Sequence, residues 1–166
     1  MSTAAESPAI LFEKSLASGR IHSGYVISGP GDAPQEGATH FARAIVCTAE
    51  AGEPRPCESC SSCRTSGIET KPVDIDGKDG PYFRFIGSHP DLYWLEKGAG
   101  SSAISIEQIR HLQTALHRSS NAGGRRVVVI ANAKWLNTHS QNALLRLIEE
   151  PPPLTSILLA TDTPFN

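Results

Sequence analysis

Apolar residues recur along the chain with two periods, and their alternation predicts the order of elements. Over residues 8–17, Ile10, Leu11 and Leu16 stand among Phe12, Glu13 and Lys14, the spacing of a short amphipathic helix that Gly19 closes. Tyr25, Val26, Ile27 and Ser28 form an apolar run of strand length leading into the turn Gly29-Pro30-Gly31-Asp32-Ala33-Pro34. Helical period returns over residues 35–46, so the first unit reads as strand, glycine loop, helix, the opening half of a βαβ unit.

Residues 91–96 predict a second strand, and residues 106–118 a helix with Ile106, Ile109, Leu112 and Leu116 on one face and Ser105 as its N-cap. Residues 127–131 are apolar without alternation, as in a buried strand of a parallel sheet. A helix over residues 139–149 follows, ended by Pro151, Pro152 and Pro153, and residues 156–161 give the last strand. Four strands alternating with helices predict an α/β fold, a parallel sheet flanked by helices. Two segments break the alternation. Residues 52–67 hold three cysteines with Pro54, Pro56 and several serines, too little apolar material for packing alone to order. Residues 69–87 set Tyr82, Phe83, Phe85 and Ile86 in a Pro, Asp, Gly and Lys background and read as a long loop or hairpin.

At 166 residues, 39% hydrophobic and 19% charged, the chain has material for one domain that buries roughly 70% of its unfolded surface. That excludes a disulfide-stapled mini-protein or a disordered tail. The net charge of −2 argues against a strongly basic nucleic-acid coat, but the charge is uneven. Residues 1–107 carry nine basic and fourteen acidic side chains, residues 108–166 six and three, and no Asp or Glu lies between Gln108 and Ile148. That stretch reads as a surface for DNA or an acidic partner, or as a solvated helix face. No apolar run approaches the roughly 18 residues of a membrane span. Residues 1–7 show no secretory signal, so a cytoplasmic location with reduced thiols is expected.

Reduced thiols change the meaning of Cys47, Cys57, Cys60 and Cys63, spaced C-x9-C-x2-C-x2-C. Four clustered thiolates suit tetrahedral Zn²⁺, bound at about 2.3 Å with no position left for water, a site that holds structure and performs no catalysis. Iron–sulfur ligation, two disulfides in an oxidising compartment, and idle thiols are the other readings of this spacing.

The glycine loop invites a phosphate-binding reading, since a strand, a glycine-rich turn and a helix N-terminus form an anion cradle. A working loop also needs a lysine for the β/γ-phosphates and a hydroxyl for Mg²⁺. No lysine lies between Lys14 and Lys71, and Pro34 or Ala38 takes its slot, depending on how the loop is counted. Such a turn either accepts an anion weakly through backbone N–H groups or only packs strand to helix. After the apolar run at 127–130, Ala131 and Asn132 stand where a P-loop ATPase carries acids for Mg²⁺ and water. Without lysine and carboxylates, Mg²⁺-dependent phosphoryl transfer has no electrostatic apparatus.

These pieces arrive in a recognisable order. The cysteine cluster, then Ser88-His89-Pro90-Asp91, the helix after Ile104, residues 126–132, and the run from His139 through Ser140-Gln141-Asn142-Ala143-Leu144-Leu145 to Glu149-Glu150-Pro151-Pro152 resemble the bacterial clamp-loader subunits of DNA polymerase III. The likeness spans about residues 24–164. It implies an AAA+, P-loop-like domain with a zinc-binding insertion at the four cysteines. Family members of the gamma/tau type hydrolyse ATP with an intact loop and acidic pair, whereas the delta-prime type usually has neither and serves as a stator. Counting back from Cys47 without gaps puts Pro34 in the lysine slot and Gln35 beside it, so Gly29, Gly31, Pro34 and Gln35 read as a degenerate phosphate loop. Ala131 and Asn132 fill the acidic slots, and Thr161 stands at the sensor-1 position.

The resemblance therefore implies a delta-prime-type subunit without catalytic activity, tight ATP binding or a membrane association. It implies a structural Zn²⁺, gamma/tau and delta subunits as partners, and access to a sliding clamp and primer-template DNA through the assembled loader; the chain alone is expected to be monomeric. Two departures stand out: twenty-five residues separate Cys63 from His89, more than is usual, and family members continue past the sensor-1 strand with a Ser-Arg-Cys motif and two helical domains. The expected organisation is one N-terminal AAA+ (RecA-like) domain over residues 1–166, incomplete at its C-terminal end, with a zinc-binding insertion at 47–63 and an extra loop or hairpin at 64–88. Two other classes stay open. One is an active AAA+ ATPase of the gamma/tau type. The other is a zinc-containing module for single-stranded nucleic acid, opposed by the acidic half that holds the cysteines and by the lack of an aromatic platform near them.

Overall fold

The computed structural model describes residues 8–50, 52–67, 74–77, 80–98, 100–118 and 124–162. The readings made for residues 1–7 and 163–166, and the parts of the 69–87 reading that fall on residues 69–73 and 78–79, lie outside the described residues. Helix α1 (Pro8–Ser18) ends at Gly19, whose φ of +71° is the left-handed conformation that closes helices. Strand β1 (Gly24–Ser28) leads through the glycine loop into α2 (Ala33–Val46), which starts two residues earlier than its apolar period suggests because Pro34 fits the first turn. A short helix α3 (Ser61–Thr65) lies in the cysteine segment. Then come β2 (Asp74–Gly77), β3 (Gly80–Ile86), β4 (His89–Leu95), α4 (Ile106–Leu116), β5 (Arg126–Ile130), α5 (Thr138–Glu149) and β6 (Thr155–Thr161).

The sheet has six strands in the order β1-β6-β5-β4-β3-β2. The four expected strands pair in parallel, β1 with β6, β6 with β5 and β5 with β4. The expectation of a parallel sheet needs one correction. Of the two readings for residues 69–87, the described residues 74–77 and 80–86 favour the hairpin: β2 and β3 pair antiparallel with each other, and β3 adds antiparallel to β4. Phe83 and Tyr93 are buried side by side, with ring centroids 5.4 Å apart, so the apolar residues of this segment have a face to cover.

Strand alternation sorts the core into two layers. Val127, Val129, Leu92 and Leu158 meet Phe41, Ala42 and Ile45 of α2, while Val128, Ile130, Leu95 and Ile157 meet Ile109, Leu112 and Leu116 of α4 and Leu144 and Leu147 of α5. Side chains on successive β5 residues point to opposite faces, and helices cover both, which is why this run has no polar alternation. Ser105 caps α4 in a reciprocal capping box with Gln108, as its sequence predicts, and Asn137 with Ser140 does the same for α5. Gln108 also donates to the carbonyls of Tyr82 (3.1 Å) and Glu96 (2.7 Å), tying α4 to the hairpin side of the sheet. One member of the basic stretch is removed from any charged surface: Arg126 is buried and donates to the carbonyls of Ala115 and Arg118 at the end of α4. Among the described residues, no helix is long and apolar enough to cross a membrane.

Candidate functional site

Cys47 follows the last residue of α2, Cys57 and Cys60 lie in the following loop, and Cys63 sits in α3. Their four sulfur atoms all lie within 4.8 Å of one another, with Cys57 and Cys63 4.0 Å apart, and none is in a disulfide. A tetrahedron with metal–sulfur bonds of 2.3 Å has edges of about 3.8 Å, so small side-chain shifts close this set on one ion. A polynuclear cluster instead separates some of its cysteines by the span between its metals, and the mutual approach of all four sulfurs favours a single centre.

Backbone amides already point at the sulfurs. Cys57 N–H donates to Cys47 Sγ (3.4 Å), Cys60 N–H to Cys57 Sγ (3.3 Å) and Cys63 N–H to Cys60 Sγ (3.3 Å). Such donors favour thiolates. Burial raises the Cys60 thiol, yet hydrogen bonds from Thr48 and from the Cys63 amide bring it down to about 5, whereas burial pushes Cys63 up to about 12. Sulfurs this close resist ionising together, and a divalent cation removes that conflict. All donors are sulfur, which suits a soft, closed metal site.

Three contacts dock this loop on the sheet. Arg43, buried on α2, forms a bidentate pair with Glu58 (2.9 and 2.8 Å) and bonds the Cys63 carbonyl (3.0 Å) and Ser66 Oγ (3.1 Å). Ser62 Oγ lies 2.7 Å from His89 Nε2; His89 Nδ1 accepts from the Asp91 amide, so Nε2 carries the proton and donates. At the β3–β4 turn, Ser88 N–H donates to the Thr65 carbonyl (3.0 Å). His89 and Pro90 thus belong to β4 itself, and the Ser88–Asp91 motif seats the cysteine loop.

The second group of sequence-nominated residues gathers at the carboxyl ends of β1, β6 and β5. Gly31 has φ +58°, and Gly29 N–H donates to the carbonyl of Thr161, a buried residue paired with Ser28. Pro34 is buried, and Gln35 Nε2 donates to the carbonyl of Ala131 at 2.8 Å. Asn132 is buried too; its Oδ1 accepts from Lys134 N–H and caps the 3-10 turn Ala133–Trp135. Sequence reasoning missed Arg43, Glu58 and the Gln35–Ala131 bond. Arg43 had a legible signal, a lone cation between Ala42 and Ala44 on the apolar face of α2.

Residues 5–75 and 85–166 match the family described as DNA polymerase III, delta subunit. The chain is 31% identical over 151 residues to the delta-prime subunit of DNA polymerase III from Yersinia pestis, covering 90% of this chain and 39% of that protein. It is 32% identical over 152 residues to the tau subunit of Salmonella typhimurium, covering 90% of this chain and 20% of that one. The chain thus spans about two fifths of the delta-prime relative and one fifth of the tau relative. In fold it is similar to a gamma subunit-related protein of DNA polymerase III from Thermotoga maritima, with a TM-score of 0.54, 16% identity, and coverage of 91% of this chain and 39% of that one.

Proposed function

This chain belongs to the DNA polymerase III delta-subunit family, and on that footing we propose that it acts in a clamp loader as a delta-prime-type, non-hydrolysing subunit. In this reading it assembles with gamma/tau and delta subunits and helps them place a sliding clamp on primer-template DNA. Cys47, Cys57, Cys60 and Cys63 hold one structural Zn²⁺, which supplies folding energy to the 47–63 insertion and takes part in no reaction.

The observation that carries the non-hydrolysing part is the Gln35–Ala131 bond. A P-loop ATPase needs a lysine, a hydroxyl and an acid around the phosphates and Mg²⁺. Here the buried ring of Pro34 stands in the lysine slot, and the residues in the hydroxyl and acid slots bond each other through an amide N–H and a carbonyl. That arrangement offers no cation to phosphate and no anionic ligand to Mg²⁺. Gly29, Gly31, Asn132 and Thr161 then serve the scaffold: a loop tied to β6 and a cap on the turn after β5.

Calorimetry with Mg·ATP tests this directly. The expected result is no saturable heat up to about 1 mM, binding weaker than about 4 kcal/mol. Micromolar affinity abolished by substitutions at Gly29 and Gly31 would move the assignment to the ATP-hydrolysing gamma/tau type. For the assembly part, the whole subunit containing this chain should co-purify with gamma/tau and delta; one that stays monomeric beside them while hydrolysing ATP overturns the reading. Elemental analysis should return about one zinc per chain without visible absorption, and iron would overturn the metal assignment.

A further inference from the structure

We propose that Arg43, paired with Glu58, is the positioning residue of the metal loop, so that Zn²⁺ retention depends on a guanidinium that grips the loop's backbone and side chains. The inference rests on the zinc reading above and adds to it a named determinant of affinity. Arg43 sits on the buried face of α2 at 6% exposure, and a guanidinium there is tolerated only if its donors are satisfied. The four hydrogen bonds it makes all run toward one segment. Nε bonds Ser66 Oγ, both terminal nitrogens bond the Glu58 carboxylate, and one of them also bonds the Cys63 carbonyl. All these partners fall between residues 58 and 66, the segment that contains two of the four cysteines and directly follows a third.

Glu58 is the partner on the loop side. Its φ is +65°, a conformation residues with a Cβ avoid, and it lies between Cys57 and Cys60 where the chain must turn back to bring both sulfurs toward Cys47. The bidentate pair holds Glu58 in that turn. Arg43 therefore fixes the loop on both sides of Cys60, through Glu58 before it and through the Cys63 carbonyl after it. A planar fork makes these bonds at once; an ammonium on a flexible stem does not. The positive charge beside the thiolates is a separate effect, and Lys in place of Arg separates the two.

The test is competition for Zn²⁺ against a chromophoric chelator, on the wild-type chain and on Arg43→Gln, Arg43→Lys, Glu58→Gln and the Arg43→Gln/Glu58→Gln double variant. Wild type should hold one Zn²⁺ per chain. Each single variant should lose roughly 10–100-fold in zinc affinity, the range for partners outside the ligand set. The double variant should lose no more than Arg43→Gln alone, because both substitutions break one interaction. Glu58 is largely exposed, so Glu58→Gln keeps the fold while testing the tether; its Co²⁺ form should retain four-thiolate absorption with lowered affinity. Full retention in Arg43→Lys, additive losses in the double variant, or unchanged affinity in Glu58→Gln would overturn the inference while leaving the zinc site standing. A wild-type chain without Zn²⁺ would overturn the zinc reading itself, and this inference with it.

Discussion

Gly87 lies against the backbone of α3 and the residue that follows it in the cysteine loop, and Gly87→Ala should be among the costliest single-methyl additions in the chain. Its φ is +58°, and a Cβ built there meets the Thr65 carbonyl oxygen at 2.5 Å and Ser66 backbone atoms at 3.1 Å. Alanine costs about 1–2 kcal/mol for the left-handed conformation alone. The overlap is with backbone, so no rotamer change relieves it; the turn must draw away from α3. That movement sacrifices the Ser88–Thr65 hydrogen bond, about 1 kcal/mol, for a total of about 2–3 kcal/mol. Gly31 supplies the control, because it has the same φ of +58° but nothing within 4 Å of a built Cβ. Gly31→Ala should therefore lose only the conformational part. Urea unfolding of the zinc-loaded protein reads both, and with slopes of a few kcal/mol/M the midpoint of Gly87→Ala should fall by about 1 M. Equal losses at the two glycines, or a Gly87→Ala loss under about 0.5 kcal/mol, within the range of ordinary surface changes, would refute the close packing of Gly87 on residues 65–66.

Cys60→Ser should weaken Zn²⁺ binding by more than the roughly 10–100-fold expected for an outer partner, and amide exchange should accelerate across residues 52–67 while β5 and β6 stay protected. Uniform acceleration over the sheet would show that the loop is not a separable unit. His89 should make stability pH-dependent. Burial lowers its pKa below the ordinary value, with Asp91 opposing, so the unfolded chain takes up the proton first. Its contribution is complete above about pH 6.5 and is lost as pH falls from there toward the lowered folded value. Urea titrations across that window should show a steeper acid loss in wild type than in His89→Gln, and parallel curves would remove His89 from the account.

How much of this was legible in the sequence follows from the range of the forces involved. The parallel core was legible because its signal is local: a run such as Val127, Val128, Val129 and Ile130 leaves a strand covered on both faces as the economical outcome. Caps at Ser105 and stops at Pro151 are equally local. The hairpin was only half legible, since Tyr82, Phe83 and Phe85 show apolar content but not that Phe83 meets Tyr93 across the sheet. At the candidate site, the cysteine spacing named the cluster and Arg43 stood out between two alanines, while the pairings that fix the cluster were hidden. Arg43 and Glu58 are fifteen positions apart, Ser62 and His89 twenty-seven, and Gln35 and Ala131 ninety-six. Such pairs carry no periodicity, and each becomes visible only when the fold brings two elements together.

Helix α2 joins the two regions, and their contrast bears on what the domain is built to do. At its N-terminus, Gln35 spends its side chain on the Ala131 carbonyl, and Gly29 bonds Thr161. In a nucleotide-binding member, the ligand orders the phosphate loop by mass action, and order is lost when the ligand leaves. In the reading proposed above, internal hydrogen bonds take over that ordering. Toward the C-terminus, Arg43 anchors a loop whose proposed Zn²⁺ is held through four thiolates and is not turned over. On that proposal both ends of the helix are fixed by groups that do not come and go with a reaction cycle, and α2 packs its Phe41 and Ile45 on the sheet between them. A subunit that must present one unchanging face to partners that do cycle is served by that arrangement, whereas an ATPase, which needs its loop and acidic strand to respond to bound nucleotide, is not.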